Sequence, residues 1–364
     1  MRIGILTFHN AINYGAVIQC YALMKFMEQR GHTVEVIDYR LHAIEDYKVL
    51  FSFHTLCGVK GIKKKAFYIL NSVLLRKRKN KVIRAFNAFL SSRLHLSNRY
   101  SDGQNISQYY DYVIFGSDQI WNLKLTNGFD PVFWGQIEKG NSIFAAYAAS
   151  MGEIDTLSNS QWDIVVDKLK AFDHISVREL SLKDFLNNKY GMNVDCCVDP
   201  TLLVDSKILD AIAVKPQEDN FVYLYNVTKD KHAEAFASNI ASLLGCKVIM
   251  TNPKPRIKRS KKCCEAEAIS PEEFLGYIKY AKMVIGNSFH AVILSILFRK
   301  DFYSLNSHRP ERIKGVLKDL GLIERHVNST DNVHSISFVD YSHVGQKINH
   351  MRESSLLYID RIGL

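Results

Sequence analysis

The sequence lacks acidic residues over one long stretch, from Tyr47 to Ser101. Thirteen lysines and arginines fall in that stretch, and the formal net charge of the 364-residue chain is +10. The remaining residues are therefore slightly acidic. Apolar residues recur among the cations at helical spacing, which predicts a basic amphipathic helical surface. Such a surface is typical of docking to an anionic membrane face or a polyanionic acceptor, and equally of an ordinary solvated helix face.

Long apolar runs are missing as well. The stretch from Ala291 to Phe298 is among the longest, and a spanning helix needs about 20 residues. The opening letters MRIGILTFHN carry no secretion-signal pattern. The seven cysteines form an odd set with no C-x-x-C pair and no histidine at zinc-finger spacing. We therefore expect a cytoplasmic protein with reduced thiols and no metal, in peripheral contact with the inner face of the membrane through residues 47–101.

The order of predicted elements indicates an α/β fold. A strand at Ile3–Phe8, a helix at Tyr14–Arg30 and a strand at Thr33–Tyr39 make a βαβ opening. A second opening starts with a strand at Phe221–Tyr225 and a helix at Lys231–Leu244. Strand and helix alternate between and after these openings, which predicts mainly parallel sheets. The chain length and its 47% hydrophobic content favour two domains.

The domain boundary is expected just after the Asp199-Pro200-Thr201 break, where a mixed polar connection begins. We predict an N-terminal Rossmann-like domain over 1–204 on the acceptor side, with a basic helical insertion at about 47–101. A C-terminal Rossmann-like domain over 205–340 is expected on the donor side, and a helix over 341–364 is expected to pack back on the first domain. This order resembles the GT-B arrangement. Open α/β sheets bind ligands at the carboxyl ends of their strands, so a site in the cleft between the domains is expected.

The strongest site candidate is the stretch from Met283 to His290, in which a strand leads through a small-residue turn into a helix. Free backbone N–H groups and the positive end of the helix dipole make such a start an anion site. Ser288 would then bind a phosphate oxygen and Phe289 would contribute its backbone. His290 would face the same space as a cation or proton donor. The alternative is a capped helix with a packed histidine.

Two further candidates follow strands of the first half. Arg178 comes at a strand end, where its planar fork suits a carboxylate or a phosphate, and the alternative is an ion pair with Glu179. At the end of another strand, Gly116 and Ser117 allow close approach of a ligand. Asp118 follows as a base or as an acceptor for sugar hydroxyls.

Trp121, close behind these residues, is expected to stack on a sugar ring, with burial in the core as the alternative. The first loop adds Asn13, Tyr14 and Gly15 to this candidate substrate site. Neither a GxGxxG loop nor a Walker loop is present in the sequence, so no nucleotide fingerprint is found.

Taken together, these motifs resemble the polysaccharide pyruvyl transferases. The resemblance extends over most of the chain and is weakest between about 47 and 101. It is carried by Asn13-Tyr-Gly-Ala16 with Gln19 and Ala22-Leu23, Gly116-Ser-Asp-Gln-Ile-Trp121, Ser176-Val-Arg-Glu179, Asp199-Pro-Thr-Leu-Leu203 and Ser288-Phe-His290. Many members have Arg-Leu-His where this chain has Ser288-Phe289-His290, a difference that removes one expected cation from the phosphate site.

The resemblance implies a GT-B fold and a transferase that uses phosphoenolpyruvate as donor, with no cofactor. The pyruvyl group would form a ketal on a sugar or a lipid-linked oligosaccharide of cell-surface polysaccharide biosynthesis. His290 would protonate the donor, Arg178 would hold its phosphate or carboxylate, and Asp118 would serve as base. The alternatives are a nucleotide-sugar glycosyltransferase of the same fold and a non-catalytic polyanion binder using 47–101 and 254–262. Nucleic acid is not an expected partner, because no recognised nucleic-acid module is evident.

Overall fold

The computed structural model describes residues 1–41, 45, 61–100, 106, 109–152, 157–228, 230–251, 260, 262–306 and 310–364. Residues 47–60 of the predicted basic insertion and most of the basic loop at 254–262 lie outside the described residues. The helices are α1 Tyr14–Gln29, α2 Ile62–Leu74, α3 Arg76–Arg93, α4 Leu123–Thr126, α5 Asn159–Leu169, α6 Leu180–Tyr190, α7 Pro200–Leu203, α8 Ser206–Asp210, α9 Ala233–Leu243, α10 Pro271–Tyr280, α11 Phe289–Leu297, α12 Pro310–Leu320 and α13 Val344–Arg361.

The first sheet is parallel throughout its seven strands. They are β1 Arg2–Leu6, β2 Thr33–Tyr39, β3 Leu96–Tyr100, β4 Tyr112–Asp118, β5 Ile143–Ala149, β6 His174–Val177 and β7 Val194–Cys196. Their order is β3-β2-β1-β4-β5-β6-β7, with parallel pairing at every step. The order reverses between β1 and β4, which is the switch point where Rossmann-like sheets bind ligands.

The second sheet is parallel as well. Its strands are β8 Phe221–Tyr225, β9 Lys247–Thr251, β10 Cys264–Ala266, β11 Met283–Gly286, β12 Phe302–Leu305 and β13 His326–Val327. Their order is β10-β9-β8-β11-β12-β13, with the switch point between β8 and β11. The prediction of an α/β chain with two Rossmann-like sheets is confirmed.

The central strands are continuous apolar runs in the sequence because both faces of each one are covered. All seven residues of β4 and all five of β8 are buried. Separate apolar cores form on the two sheets, one around Trp121 and Phe144 and the other around Phe236 and Ile285. In the part of the chain that the structure describes, no helix is long and apolar enough to cross a membrane.

The chain divides into two compact units. Unit 1 holds residues 1–45, 90–205 and 348–364, and unit 2 holds 46–89 and 206–347. Helix α2 and most of α3, which the sequence assigned to the first domain as an insertion, therefore group with the second unit. Beyond residue 348, α13 contacts unit 1, where the Tyr358 hydroxyl donates to the Ala146 carbonyl at 2.8 Å and Ser355 Oγ accepts from the Val198 N–H at 2.9 Å.

Candidate functional site

In unit 1, β4 ends at Gly116, Ser117 and Asp118, the residues predicted to contact a ligand. Gly116 has φ +112°, and a Cβ there would lie 2.6 Å from a carbonyl oxygen of β5. Ser117 is fully buried and donates a hydrogen bond to the Ala148 carbonyl at 3.1 Å. Both residues therefore serve the packing of β4 against β5 in this structure, and the ligand contacts predicted for them are not supported. Asp118 alone among the three presents a charged group, whose carboxylate accepts from the N–H of Gln119 at 2.8 Å.

Arg178 lies buried at the end of β6 among carboxylates. Its Nη1 is 2.8 Å from Asp199 Oδ2, and its Nε is 3.6 Å from Glu179 Oε1. Burial acts to lower the pKa of the guanidinium, but the charges of Glu179, Asp199 and Asp118 raise it by more. The ion pair that the sequence offered as an alternative is thus present and includes Asp199. The donor contact predicted for Arg178 lacks support, because its charge is already outweighed locally by carboxylates.

Trp121 is fully buried rather than available to a sugar. Its ring stacks on Trp134 with centroids 5.5 Å apart and meets Phe172 edge-on at 5.5 Å. The indole N–H donates to the Phe133 carbonyl at 3.0 Å, which satisfies its polar atom inside the core. The alternative of burial in the core is therefore the observed one, and the predicted stacking on a sugar is wrong.

The first loop contributes one exposed side chain to this edge of the sheet. Asn13 caps α1 by accepting from the N–H of Gly15 at 3.0 Å, and its side chain remains exposed. Tyr14 and Gly15 are buried in the first turn of the helix. Of the three predicted residues, Asn13 is thus the one whose side chain is exposed, and its contact with a substrate stays a prediction.

A buried charge cluster at the ends of β1 and β2 was missed by the sequence analysis. His9 Nε2 lies 3.0 Å from Asp38 Oδ1, and Arg40 contacts both oxygens of Asp38 at 2.7 and 2.8 Å. Burial acts to raise the pKa of Asp38, but the hydrogen bonds and charges of His9 and Arg40 lower it well below its usual range. The available signal was the position of ionisable residues close to the carboxyl ends of two buried strands.

In unit 2, Asn287 fixes the turn between β11 and α11. Its side chain is nearly buried; Oδ1 accepts from the N–H of Val227 at 2.8 Å, and Nδ2 donates to Asn226 Oδ1 at 2.8 Å. Nδ2 also donates to Thr228 Oγ1 at 2.5 Å. The turn is therefore tied to the loop that follows the neighbouring strand β8, which positions the start of α11.

The start of α11 holds the three residues that the sequence singled out. Ser288 is the half-buried N-cap and makes no capping hydrogen bond in the described part of the chain. The first N–H groups of an α-helix have no acceptor within the helix itself. Phe289 carries the guanidinium of Arg312 over its ring at 4.6 Å. His290 is 8% exposed, with its ring edge-on to that of Phe289 at 5.4 Å.

This start combines the backbone amides of a helix N-terminus, a hydroxyl, an imidazole and a guanidinium from α12. Such a set suits an anionic ligand. Across the described ranges, no group of three or more histidine, cysteine or acidic side chains is arranged to hold a metal ion.

Comparison with known proteins gives the family. The family model of polysaccharide pyruvyl transferases matches residues 13–309. The chain belongs to the polysaccharide pyruvyl transferase family. No curated protein matches it. The region matched by the family model contains Asn13, Asp118, Arg178 and His290. His9 and Arg312 lie outside it.

Solved structures of several enzymes are similar to this chain at low identity. The UDP-GlcNAc 2-epimerase of Methanocaldococcus jannaschii is 12% identical, with 97% of this chain and 93% of that one covered and a TM-score of 0.46. The E. coli heptosyltransferase WaaC with ADP-2-deoxy-2-fluoro heptose is 10% identical over 100% of both chains, with a TM-score of 0.38. The glycosyltransferase SnogD of Streptomyces nogalater is 9% identical over 97% and 94%, with a TM-score of 0.40. These values are too low to support a functional conclusion.

Proposed function

We propose that this transferase moves the pyruvyl group of phosphoenolpyruvate onto a pair of sugar hydroxyls as a ketal, in cell-surface polysaccharide biosynthesis. The observation that carries the proposal is the start of α11, where the backbone amides of a helix N-terminus, Ser288 and Arg312 offer an anion site beside His290. Family membership supports a pyruvyl donor and a saccharide acceptor. Peripheral contact with an anionic membrane through 47–101 is part of the same proposal.

The phosphate of the donor binds at the amide-rich start of α11. The resemblance to family members with Arg-Leu-His leaves one cation missing at Ser288, and Arg312 replaces it from the neighbouring helix α12. The cation–π contact with Phe289 holds the guanidinium over the ring of the first helical residue. A planar fork in that position suits bidentate contact with phosphate or carboxylate oxygens.

His290 supplies the proton that starts the reaction. Protonation of the methylene carbon turns it into a methyl group and makes the adjacent carbon electrophilic, so that a sugar hydroxyl oxygen attacks there. Phosphate then leaves from that carbon, and the second hydroxyl oxygen closes the ketal. One hydroxyl proton replaces the proton that His290 gave, and the other leaves with phosphate. The net change is donor plus diol to ketal plus phosphate.

The sugar binds at the acidic strand ends of unit 1. Three carboxylates, those of Asp118, Glu179 and Asp199, outnumber the guanidinium of Arg178 there. Carboxylates accept hydrogen bonds from sugar hydroxyls and repel an anionic donor. Asp118 is the proposed base. Arg178 is a positioning residue, whose ion pairs with Glu179 and Asp199 fix the carboxylates at these strand ends. Asn13 adds an exposed amide.

Thermal shift tests the donor directly. Phosphoenolpyruvate should raise the melting temperature, whereas UDP- and GDP-sugars should not, because no nucleotide fingerprint is present in the sequence. Phosphoglycolate, which carries a phosphate and a carboxylate, is the matched anion control for charge alone. Stabilisation by a nucleotide sugar without any effect of phosphoenolpyruvate would point to the glycosyltransferase alternative. Stabilisation by neither, with salt-sensitive binding of polyanions, would point to the non-catalytic one.

A further inference from the structure

Helix α2 turns its apolar side to the solvent. Six apolar residues on it are between 41% and 87% exposed, namely Ile62, Phe67, Ile69, Leu70, Val73 and Leu74. At 3.6 residues per turn they share one arc of about 160°. The opposite side holds the half-buried Tyr68, Asn71 and Ser72. A helix of a folded unit normally buries its apolar face, so this pattern is inverted.

Exposed cations of α3 lie on the same side as the exposed apolar residues of α2. Hydrogen bonds of the α-helical type run through the junction, with the N–H of Leu75 donating to the Asn71 carbonyl at 2.9 Å and that of Lys79 to the Leu75 carbonyl at 2.8 Å. Positions can therefore be counted along both helices. Four exposed cations fall on or next to the apolar arc, namely Arg76, Lys77, Lys81 and Arg84. The buried residues of α3 in unit 2 fall on the opposite side, namely Val82, Phe86 and Phe89.

We propose that this side of α2 and α3 is a docking surface for an anionic lipid bilayer. The apolar side chains enter the interface between headgroups and acyl chains, and the cations contact the headgroups. The stretch from Tyr47 to Ser101 contains no Asp or Glu. Its cations therefore attract anionic headgroups without any acidic side chain in the stretch to repel them. This benefit rests on the proposed function: a lipid-linked acceptor would lie on such a surface, so docking would bring the enzyme to its substrate.

Other occupants fit less well. A second copy of this chain would bring the same cations against one another. A nucleic acid or an anionic polysaccharide would match the charge but would gain little from a row of exposed aliphatic side chains and Phe67. Among these occupants, a bilayer is the one that matches both the charge and the apolar arc of the described residues.

Sedimentation of the full chain with vesicles tests the surface. Binding is expected with vesicles of equal parts phosphatidylcholine and phosphatidylglycerol, at least about tenfold tighter than with phosphatidylcholine alone, and weakened by salt. Phe67→Ser with Leu70→Ser and Val73→Ser should lower the affinity by roughly tenfold or more. Lys77→Gln with Lys81→Gln and Arg84→Gln should lower it by roughly fivefold for each charge.

The controls are exposed residues outside this surface. Phe338 is 66% exposed, so Phe338→Ser removes a comparable aromatic, and Lys170→Gln removes a comparable cation. Both should leave vesicle binding unchanged. Full binding by the apolar triple variant would overturn the proposal. So would a concentration-dependent dimer, or salt-sensitive capture of DNA or dextran sulfate, that replaces vesicle binding in the unmodified chain.

Docking does not depend on the donor chemistry. The apolar triple variant should keep the thermal shift with phosphoenolpyruvate, because its three changes lie on exposed positions of α2. Absence of that shift in the unmodified chain would contradict the proposed donor chemistry alone. Absence of vesicle binding would contradict the docking surface and the membrane contact, and would leave the donor chemistry standing.

Discussion

The guanidinium of Arg312 lies 4.6 Å over the ring of Phe289, the first residue of α11. Arg312→Ala should weaken phosphoenolpyruvate binding roughly 10- to 100-fold, because a charged hydrogen bond to the donor is lost. Arg312→Lys keeps the charge but lacks the planar guanidinium, so its affinity for phosphoenolpyruvate should lie between those of the unmodified chain and Arg312→Ala. Calorimetric titration with phosphoenolpyruvate measures both. Lys318→Ala, an exposed cation on the same helix, is the control and should bind as the unmodified chain does.

His290 should affect turnover rather than donor binding. His290→Ala should slow phosphate release from phosphoenolpyruvate by about 10²- to 10⁴-fold, the usual contribution of a positioned proton donor. The dissociation constant of phosphoenolpyruvate should change far less. Phosphate release with a panel of nitrophenyl hexosides as acceptors measures the first quantity and calorimetry the second. Full activity of His290→Ala would falsify the proposed proton transfer.

Local sequence patterns predicted several central strands of the two sheets and the start of α11, but not the edge strands β3 and β13. The run Met283–Ile285 followed by small residues predicted β11 and the helix start, because strand, turn and N-cap all depend on neighbouring residues. The short strand β10 at Cys264–Ala266 was not predicted. Three residues show no periodicity, and the strand exists through its parallel pairing with β9.

Long-range contacts explain what the sequence did not predict. The surroundings of Trp121 include Phe172, which arrives from elsewhere in the chain, so its polar neighbours in sequence were misleading. His9 and Asp38 are 29 residues apart. Arg312 reaches α11 from another helix. In each case the partner is set by the packing of elements, which hydrophobic periodicity does not encode.

Arg178 should be a determinant of stability. Arg178→Ala leaves buried carboxylates without their cation and should lower the free energy of unfolding by about 3–5 kcal/mol. Pairing Arg178→Met with Asp199→Asn should cost much less than the sum of the two single changes, since both partners of the ion pair are then removed. Urea unfolding of the unmodified chain, Arg178→Met, Asp199→Asn and the double variant completes the double-mutant cycle. Additive effects would show that the pair is not coupled.

Asp38 should link stability to pH in the acid range. Its pKa is lowered in the folded chain, so the folded state holds fewer protons on this group than the unfolded state, where the pKa is about 3.9. The stabilisation is therefore complete above that value and is lost as pH falls below about 4. Asp38→Asn should lower the free energy of unfolding by about 1–3 kcal/mol at pH 7, because the charge-assisted bonds from His9 and Arg40 become neutral ones.

The same substitution should flatten the acid limb of the stability curve. Urea unfolding between pH 7 and pH 3 should show the gap between the unmodified chain and Asp38→Asn narrowing as pH falls, since protonation makes Asp38 nearly equivalent to asparagine. Asp167→Asn is the control, because its side chain is 76% exposed and its ion pair with Lys170 lies at the surface. A gap that stays constant over this range would mean that the charge of Asp38 does not contribute to folding.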